Sequence, residues 1–220
     1  MLHLVIGNKR YSSWSMRPWL VLKAFDIPFD ETVVPLKQPE TRAQILQFSP
    51  TGKVPVLIDG DTRVWESLAI IEYLADIFPD KGIWPKDVVA RAHARAIASE
   101  MHAGFQPLRQ TLPMNVGERY AVPMPSDELK ANIDRIENIW HEARAKFGAG
   151  GRFLYGAFSA ADAMYVPVVT RFETYRIPVA SDTRLYMHAV TAHPAVKAWI
   201  DQARLETCTI ADYELTPGGT

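Results

Sequence analysis

The stretch Pro79-Asp80-Lys81-Gly82-Ile83-Trp84-Pro85 divides this chain into two parts of unlike periodicity. Before it, short apolar runs of strand length alternate with helical ones. After it, only helical spacing recurs, at about 86–111, 126–146, 160–176, 182–192 and 194–206. Such a chain is expected to form an α/β unit over 1–79, a linker over 80–86 and an all-helical unit over 87–220.

In the first part, the apolar run 2–6 closed by Gly7-Asn8 reads as a buried strand. Trp14, Pro18, Val21 or Leu22 and Phe25 then recur at helical spacing, and Asp26-Ile27-Pro28 stops them. An interior proline removes a donor and clashes with the preceding turn, so Pro18 belongs in the first turn. That starts the helix near Ser15 and leaves Ser12 to Trp14 in the loop or at the helix tip. Glu31 to Val34 reads as a strand and Thr41 to Phe48 as a short helix. Val56-Leu57-Ile58 and Thr62-Arg63-Val64 flank Asp59-Gly60-Asp61, a hairpin signature. Leu68, Ile71, Leu74, Ala75 and Phe78 mark a further helix. The order β-α-β-α-β-β-α implies a mixed sheet with helices on it. In the second part, Gly148-Ala149-Gly150-Gly151 interrupts the helices, and Ser159-Ala160-Ala161-Asp162 has the pattern of a capping box.

Composition narrows the partners. A net charge of -1 with interspersed signs provides no electrostatic footprint for nucleic acid or an anionic membrane. No apolar run is long enough to span a bilayer, so a soluble, cytoplasmic protein is expected. Cys208 is the single cysteine, which rules out an intramolecular disulfide and a Cys-rich metal site. His93, Glu100 and His102 do not converge at metal-ligand spacing, so no metal is expected.

Val54-Pro55 before the hairpin, Glu66-Ser67 opening the third helix, the helical second half and the Ser159-x-x-Asp162 box resemble the cytosolic glutathione transferases. Ser12-Ser13-Trp14-Ser15-Met16-Arg17, the run Ser67 to Leu74 and Gly104-Phe105-Gln106-Pro107-Leu108 are similar to the serine-type zeta class, the maleylacetoacetate isomerase-like branch. Trp14 stands where the zeta motif has cysteine. The resemblance implies a thioredoxin-like first domain, glutathione as co-substrate, a small hydrophobic electrophile as second substrate, and a homodimer.

It also implies roles. A free thiol has a pKa of about 8.5 and is only a few per cent ionised at pH 7. A hydroxyl donor at the positive end of a helix lowers that value by roughly one to two units. Ser12 would be that donor, with Ser13 as the alternative. Pro55 would be cis, turning the Val54 backbone toward the cysteinyl residue of glutathione. Glu66 would meet the γ-glutamyl ammonium and Ser67 the γ-glutamyl carboxylate. Lys53 and Gln38 would face the glycyl carboxylate, and Arg17 and Gln106 match zeta-type positions. Tyr11, Trp14, Met101, Phe105 and Met114 would line the electrophile cleft.

Every one of these residue types has an ordinary reading as well. A serine pair before a helix caps it, a proline enters an edge strand, and Glu-Ser at a helix start complements the dipole. Two further readings compete with a general transferase. A zeta-like maleylacetoacetate isomerase would use the same pocket, and a non-catalytic interaction module would keep the fold alone. A glutathione-dependent thiol reductase needs a cysteine near residues 12 to 15, where there is none.

Overall fold

The computed structural model describes residues 1–121 and 124–214; the end of the helical unit expected to reach 220 lies, from 215 on, outside them. Strands β1 (Leu2–Gly7), β2 (Phe29–Val34), β3 (Val56–Asp59) and β4 (Thr62–Trp65) form one sheet in the order β2-β1-β3-β4. β1 pairs parallel with β2 and antiparallel with β3, and β3 with β4 makes the expected hairpin. Alternation assigns the two faces of the sheet. Leu4 and Leu57 are opposite one another and join the main core, where α1 (Ser13–Ala24) and α3 (Ser67–Ile77) pack. Val5 and Val56 point the other way and form a small second cluster with Val34 and Ile45 of α2 (Thr41–Leu46). The order β-α-β-α-β-β-α is therefore the one that forms.

α1 begins two residues earlier than the sequence suggested. Ser12 accepts a hydrogen bond from Ser15 N at 3.3 Å and so caps the helix at Ser13, which leaves Pro18 inside it. An interior proline costs about 3 kcal/mol. Here Met16, Trp19, Leu20, Val21 and Leu22 are wholly buried, and that burial offsets the lost hydrogen bond.

After a 3-10 turn at Pro79–Lys81, the second half holds α4 (Val88–Ala103), α5 (Gln106–Thr111), α6 (Asp127–Phe147), α7 (Ala160–Thr174), α8 (Ser181–Ala192) and α9 (Pro194–Leu205). The sequence suggested one helix over 86–111; it is two. At Gly104 a Cβ would come within 2.9 Å of the Glu100 carbonyl, and Phe105 takes a left-handed conformation at φ 61. No local propensity announces a left-handed phenylalanine.

α7 lies at the centre. Its capping box is formed, with Asp162 accepting from Ser159 N and Ser159 Oγ, both at 2.9 Å, and also from Leu154 N and Tyr186 Oη, both at 3.1 Å. Burial raises the Asp162 pKa to about 6 against the pull of these donors. The two halves are tied together directly. Arg17 Nε donates to Met164 O, Ala160 N to Ile83 O, and Trp199 Nε1 to Lys9 O. The Glu206 carboxylate accepts from the backbone N–H groups of both Lys9 and Arg10. Among the described residues no helix is long and apolar enough to cross a membrane.

Candidate active site

Two adjoining clefts open beside the start of α1. The smaller, of about 170 Å³, is lined by Trp14, Thr51, Lys53, Val54, Pro55, Trp65, Glu66 and Ser67. It is built mainly from backbone ends. Val54 lies outside the strand ladder and makes no backbone hydrogen bond among the described residues, so its N–H and C=O are open. The peptide bond to Pro55 is cis. Glu66 has φ 68, a conformation that costs a non-glycine residue of order 1–3 kcal/mol and is held at functional sites more than elsewhere. Among the described residues α3 begins at Ser67 with no side-chain cap, leaving its first N–H donors free. The Ser67 hydroxyl is buried and has no hydrogen-bond partner among the described residues. A buried polar atom without a partner is costly, and here it sits beside free amide donors at the positive end of a helix. That combination suits a carboxylate.

The larger cleft, of about 450 Å³, is lined by Tyr11, Ser12, Ser13, Trp14, Lys53, Val54, Arg109, Met114, Arg171 and Tyr213, among others. Ser12 Oγ donates to Ser15 Oγ at 2.7 Å, and Ser15 Oγ also accepts from Gly7 N at 3.0 Å. Hydroxyl protons rotate, so Ser15 can become the donor in that pair when Ser12 turns its proton to another acceptor. Ser13, 6% exposed, makes no side-chain hydrogen bond among the described residues. Burial, then a hydrogen bond to Glu214, pushes the Tyr11 hydroxyl up to about 12, so it remains protonated.

Tyr11, Ser12, Ser13, Trp14, Lys53, Val54, Pro55, Glu66, Ser67 and Met114 thus come together around the two clefts. Others do not. Met101 and Phe105 are packed in the core. Gln106 is exposed on α5 and lines neither cleft. Gln38 is exposed and donates to Leu36 O and Cys208, while its neighbour Lys37 lines the larger cleft in its place. Arg17 is buried beneath Trp14, and burial, then Arg109 and Arg171, hold its pKa well below the usual arginine range.

Arg109 and Arg171 escaped the sequence reading. Arg171 had a signal, since it is the one basic residue in the apolar run from Ala160 to Thr174. Arg109 had none. His102, also unassigned, places Nε2 3.6 Å from the Glu66 carboxylate; burial, then Arg17, lowers its pKa. No group of three or more metal-ligating side chains is found among the described residues.

Residues 11–77 match the glutathione S-transferase N-terminal domain and residues 125–202 the glutathione S-transferase C-terminal domain. The chain belongs to the glutathione S-transferase family. A probable maleylacetoacetate isomerase of Caenorhabditis elegans is 41% identical over 96 residues, 44% of this chain and 44% of that protein. The chain thus spans less than half the length of that relative. The maleylacetoacetate isomerase of Rattus norvegicus is 29% identical over 177 residues, 76% of each chain. Among solved structures, a glutathione transferase homolog from Burkholderia GL BGR1 with bound glutathione superposes with a TM-score of 0.71 at 22% identity, covering 92% of this chain and 98% of that one. The glutathione S-transferase fold, a thioredoxin-like first half followed by helices, thus extends over most of the chain.

Proposed function

We propose that this protein binds glutathione across the two clefts, activates it as thiolate and adds it to, or uses it to isomerise, a small electrophile. The observation that carries the reading is the partnerless Ser67 hydroxyl at the uncapped start of α3, beside the strained Glu66. There the γ-glutamyl carboxylate would take Ser67 and the first N–H groups of α3, and the γ-glutamyl ammonium would take Glu66. The open N–H and C=O of Val54 would pair with the cysteinyl residue as an added strand does. Lys53 would meet the glycyl carboxylate. This path carries the thiol past Trp14 to the start of α1, where Ser12 donates to the sulfur and Ser13 stands next to it. A charge-assisted hydrogen bond of about 1.5–3 kcal/mol, aided by the helix terminus, lowers a thiol pKa by roughly one to two units.

Isomerisation of a maleylacetoacetate-like substrate is the second reading, favoured by the relatives of that name and by the zeta-like run from Ser12 to Arg17. We further propose a cytoplasmic homodimer. The exposed Trp65, Ile77, Val88 and Val89 supply apolar surface for such an interface. Retention on immobilised glutathione tests binding, and failure to bind would leave the fold without this function. Ser12→Ala is expected to lower turnover of 1-chloro-2,4-dinitrobenzene ten-fold or more with little change in glutathione KM. Full activity in that variant together with an inactive Ser13→Ala would move the role to Ser13.

A further inference from the structure

Trp14 lines both clefts and lies against two guanidinium groups. Its ring centroid is 4.4 Å from Arg17 Cζ and 4.5 Å from Arg109 Cζ, and the His102 ring meets it edge-on at 5.2 Å. No carboxylate pairs with Arg17, Arg109 or Arg171 among the described residues. Gathering like charges is unfavourable, and contact with an indole face offsets part of that cost.

Arg109 is held almost rigidly. The break at Gly104-Phe105 leaves the last carbonyls of α4 open, and Arg109 takes them, Nε donating to Gly104 O at 3.0 Å and Nη2 to Met101 O and His102 O. Nη1 has no hydrogen-bond partner among the described residues. Arg171, from α7, donates through Nε to Leu112 O and through Nη1 to Pro167 O, leaving Nη2 without a partner among the described residues. Burial, then Arg109, lowers its pKa to about 10, so it remains charged at neutral pH. Helix capping accounts for Nε and Nη2 of Arg109. It does not account for the stacking on Trp14, nor for a second arginine without an acidic partner facing the same cleft.

We propose that Arg109, aimed by Trp14, and Arg171 together bind a carboxylate carried by the electrophile, which makes Trp14 and Arg109 the residues that set specificity. The proposal rests on the glutathione-transfer reading above and deepens it. A guanidinium already fixed by three carbonyls and an indole loses little freedom on binding an anion. The second substrate is therefore not simply hydrophobic, as the sequence suggested. Its apolar body would lie against Met114, Ile210 and Tyr213 and its charged end at the arginines.

The test compares 4-chloro-3,5-dinitrobenzoate with its methyl ester. In both, the glutathione thiolate forms a C–S bond at the chlorinated carbon, chloride leaves with the bonding electron pair, and the thiol proton has passed to solvent. Relative to the uncatalysed rates, the protein is expected to favour the acid ten-fold or more in kcat/KM, chiefly through KM. Arg109→Gln and Trp14→Ala should each reduce that preference ten-fold, and Trp14→Phe, which keeps a ring face, should retain part of it. Calorimetry on the unaltered protein should show benzoate binding and benzamide not, whether or not the variants fold. Absence of an acid preference, a preference unchanged in either variant, or equal binding of benzoate and benzamide would overturn the proposal. Ester turnover without acid preference defeats this inference alone. Loss of all turnover together with no retention on glutathione defeats the transfer reading, and the benzoate comparison still decides whether the anion site exists.

Discussion

The wall running from Val54 to Ser67 and the wall that carries Arg109 and Arg171 face the same space but are made from different materials. The first offers main chain: the open Val54 amide and carbonyl, and the uncapped amides of α3. The second offers side chains from helices of the second half, each fixed by carbonyls of its own surroundings. Backbone groups have one geometry once the strand and helix ends are set, so the first wall suits a constant ligand. Side chains can change one at a time without disturbing the ladder, so under the proposal above the second wall is where the partner of that ligand would be chosen.

The largest expected effect comes from undermining the side-chain wall at its support. Arg171 belongs to α7, whose first turn depends on Asp162. Asp162→Asn places an amide NH2 among groups that all donate, and should cost about 2–3 kcal/mol in urea unfolding at pH 7. The sign of its pH dependence follows from burial. A carboxyl with a folded pKa of about 6, above the ordinary carboxylate value, binds more protons folded than unfolded between the two. Its contribution to stability therefore falls as pH rises through that window, and the margin of the unaltered protein over Asp162→Asn should be larger at pH 4.5 than at pH 7. A constant margin would mean that the four donors balance desolvation, and a smaller margin at pH 4.5 that they outweigh it.

The main-chain wall should prove more tolerant. Ser67→Ala removes one hydroxyl but leaves the helix amides, so glutathione KM should rise about five- to ten-fold, matching 1–1.4 kcal/mol. A hundred-fold rise would show that this wall, too, depends on its side chains. Lys53→Ala is the smallest change. Lys53 is exposed, and its loss should raise KM less than three-fold, an effect that fades at 0.5 M salt.

The same division decides what could be read in the sequence. Strand runs, the Asp59-Gly60-Asp61 turn, Val54-Pro55, Glu66-Ser67 and the Ser159–Asp162 box are local, and each carries its signal within a few residues. Arg109 and Arg171 lie far apart in sequence and meet only because α5 and α7 pack beside one cleft. Met101 and Phe105 were misplaced for a related reason. Apolar residues near the end of α4 face core or cleft according to a helix break that depends on one left-handed phenylalanine. Gln38 and Lys37 differ by a one-residue slip in an irregular loop, where Lys37 takes φ 58. Pro18 shows the opposite failure: a sound local rule was overridden by burial and by the Ser12 cap.

Glu206, which follows α9, binds the amides of Lys9 and Arg10 just ahead of the serines, and Trp199 holds the Lys9 carbonyl. The Tyr11–Trp14 loop is therefore buttressed, through Lys9 and Arg10, by residues that follow their partners by 190 positions or more and are synthesised long after the loop. While the chain is still emerging, the sheet can form but the Tyr11–Trp14 segment lacks its backing. Trimming α9 and its exit should leave a protein with a sheet and a poorly set serine loop, so α9 acts as a late check on whether that loop is set.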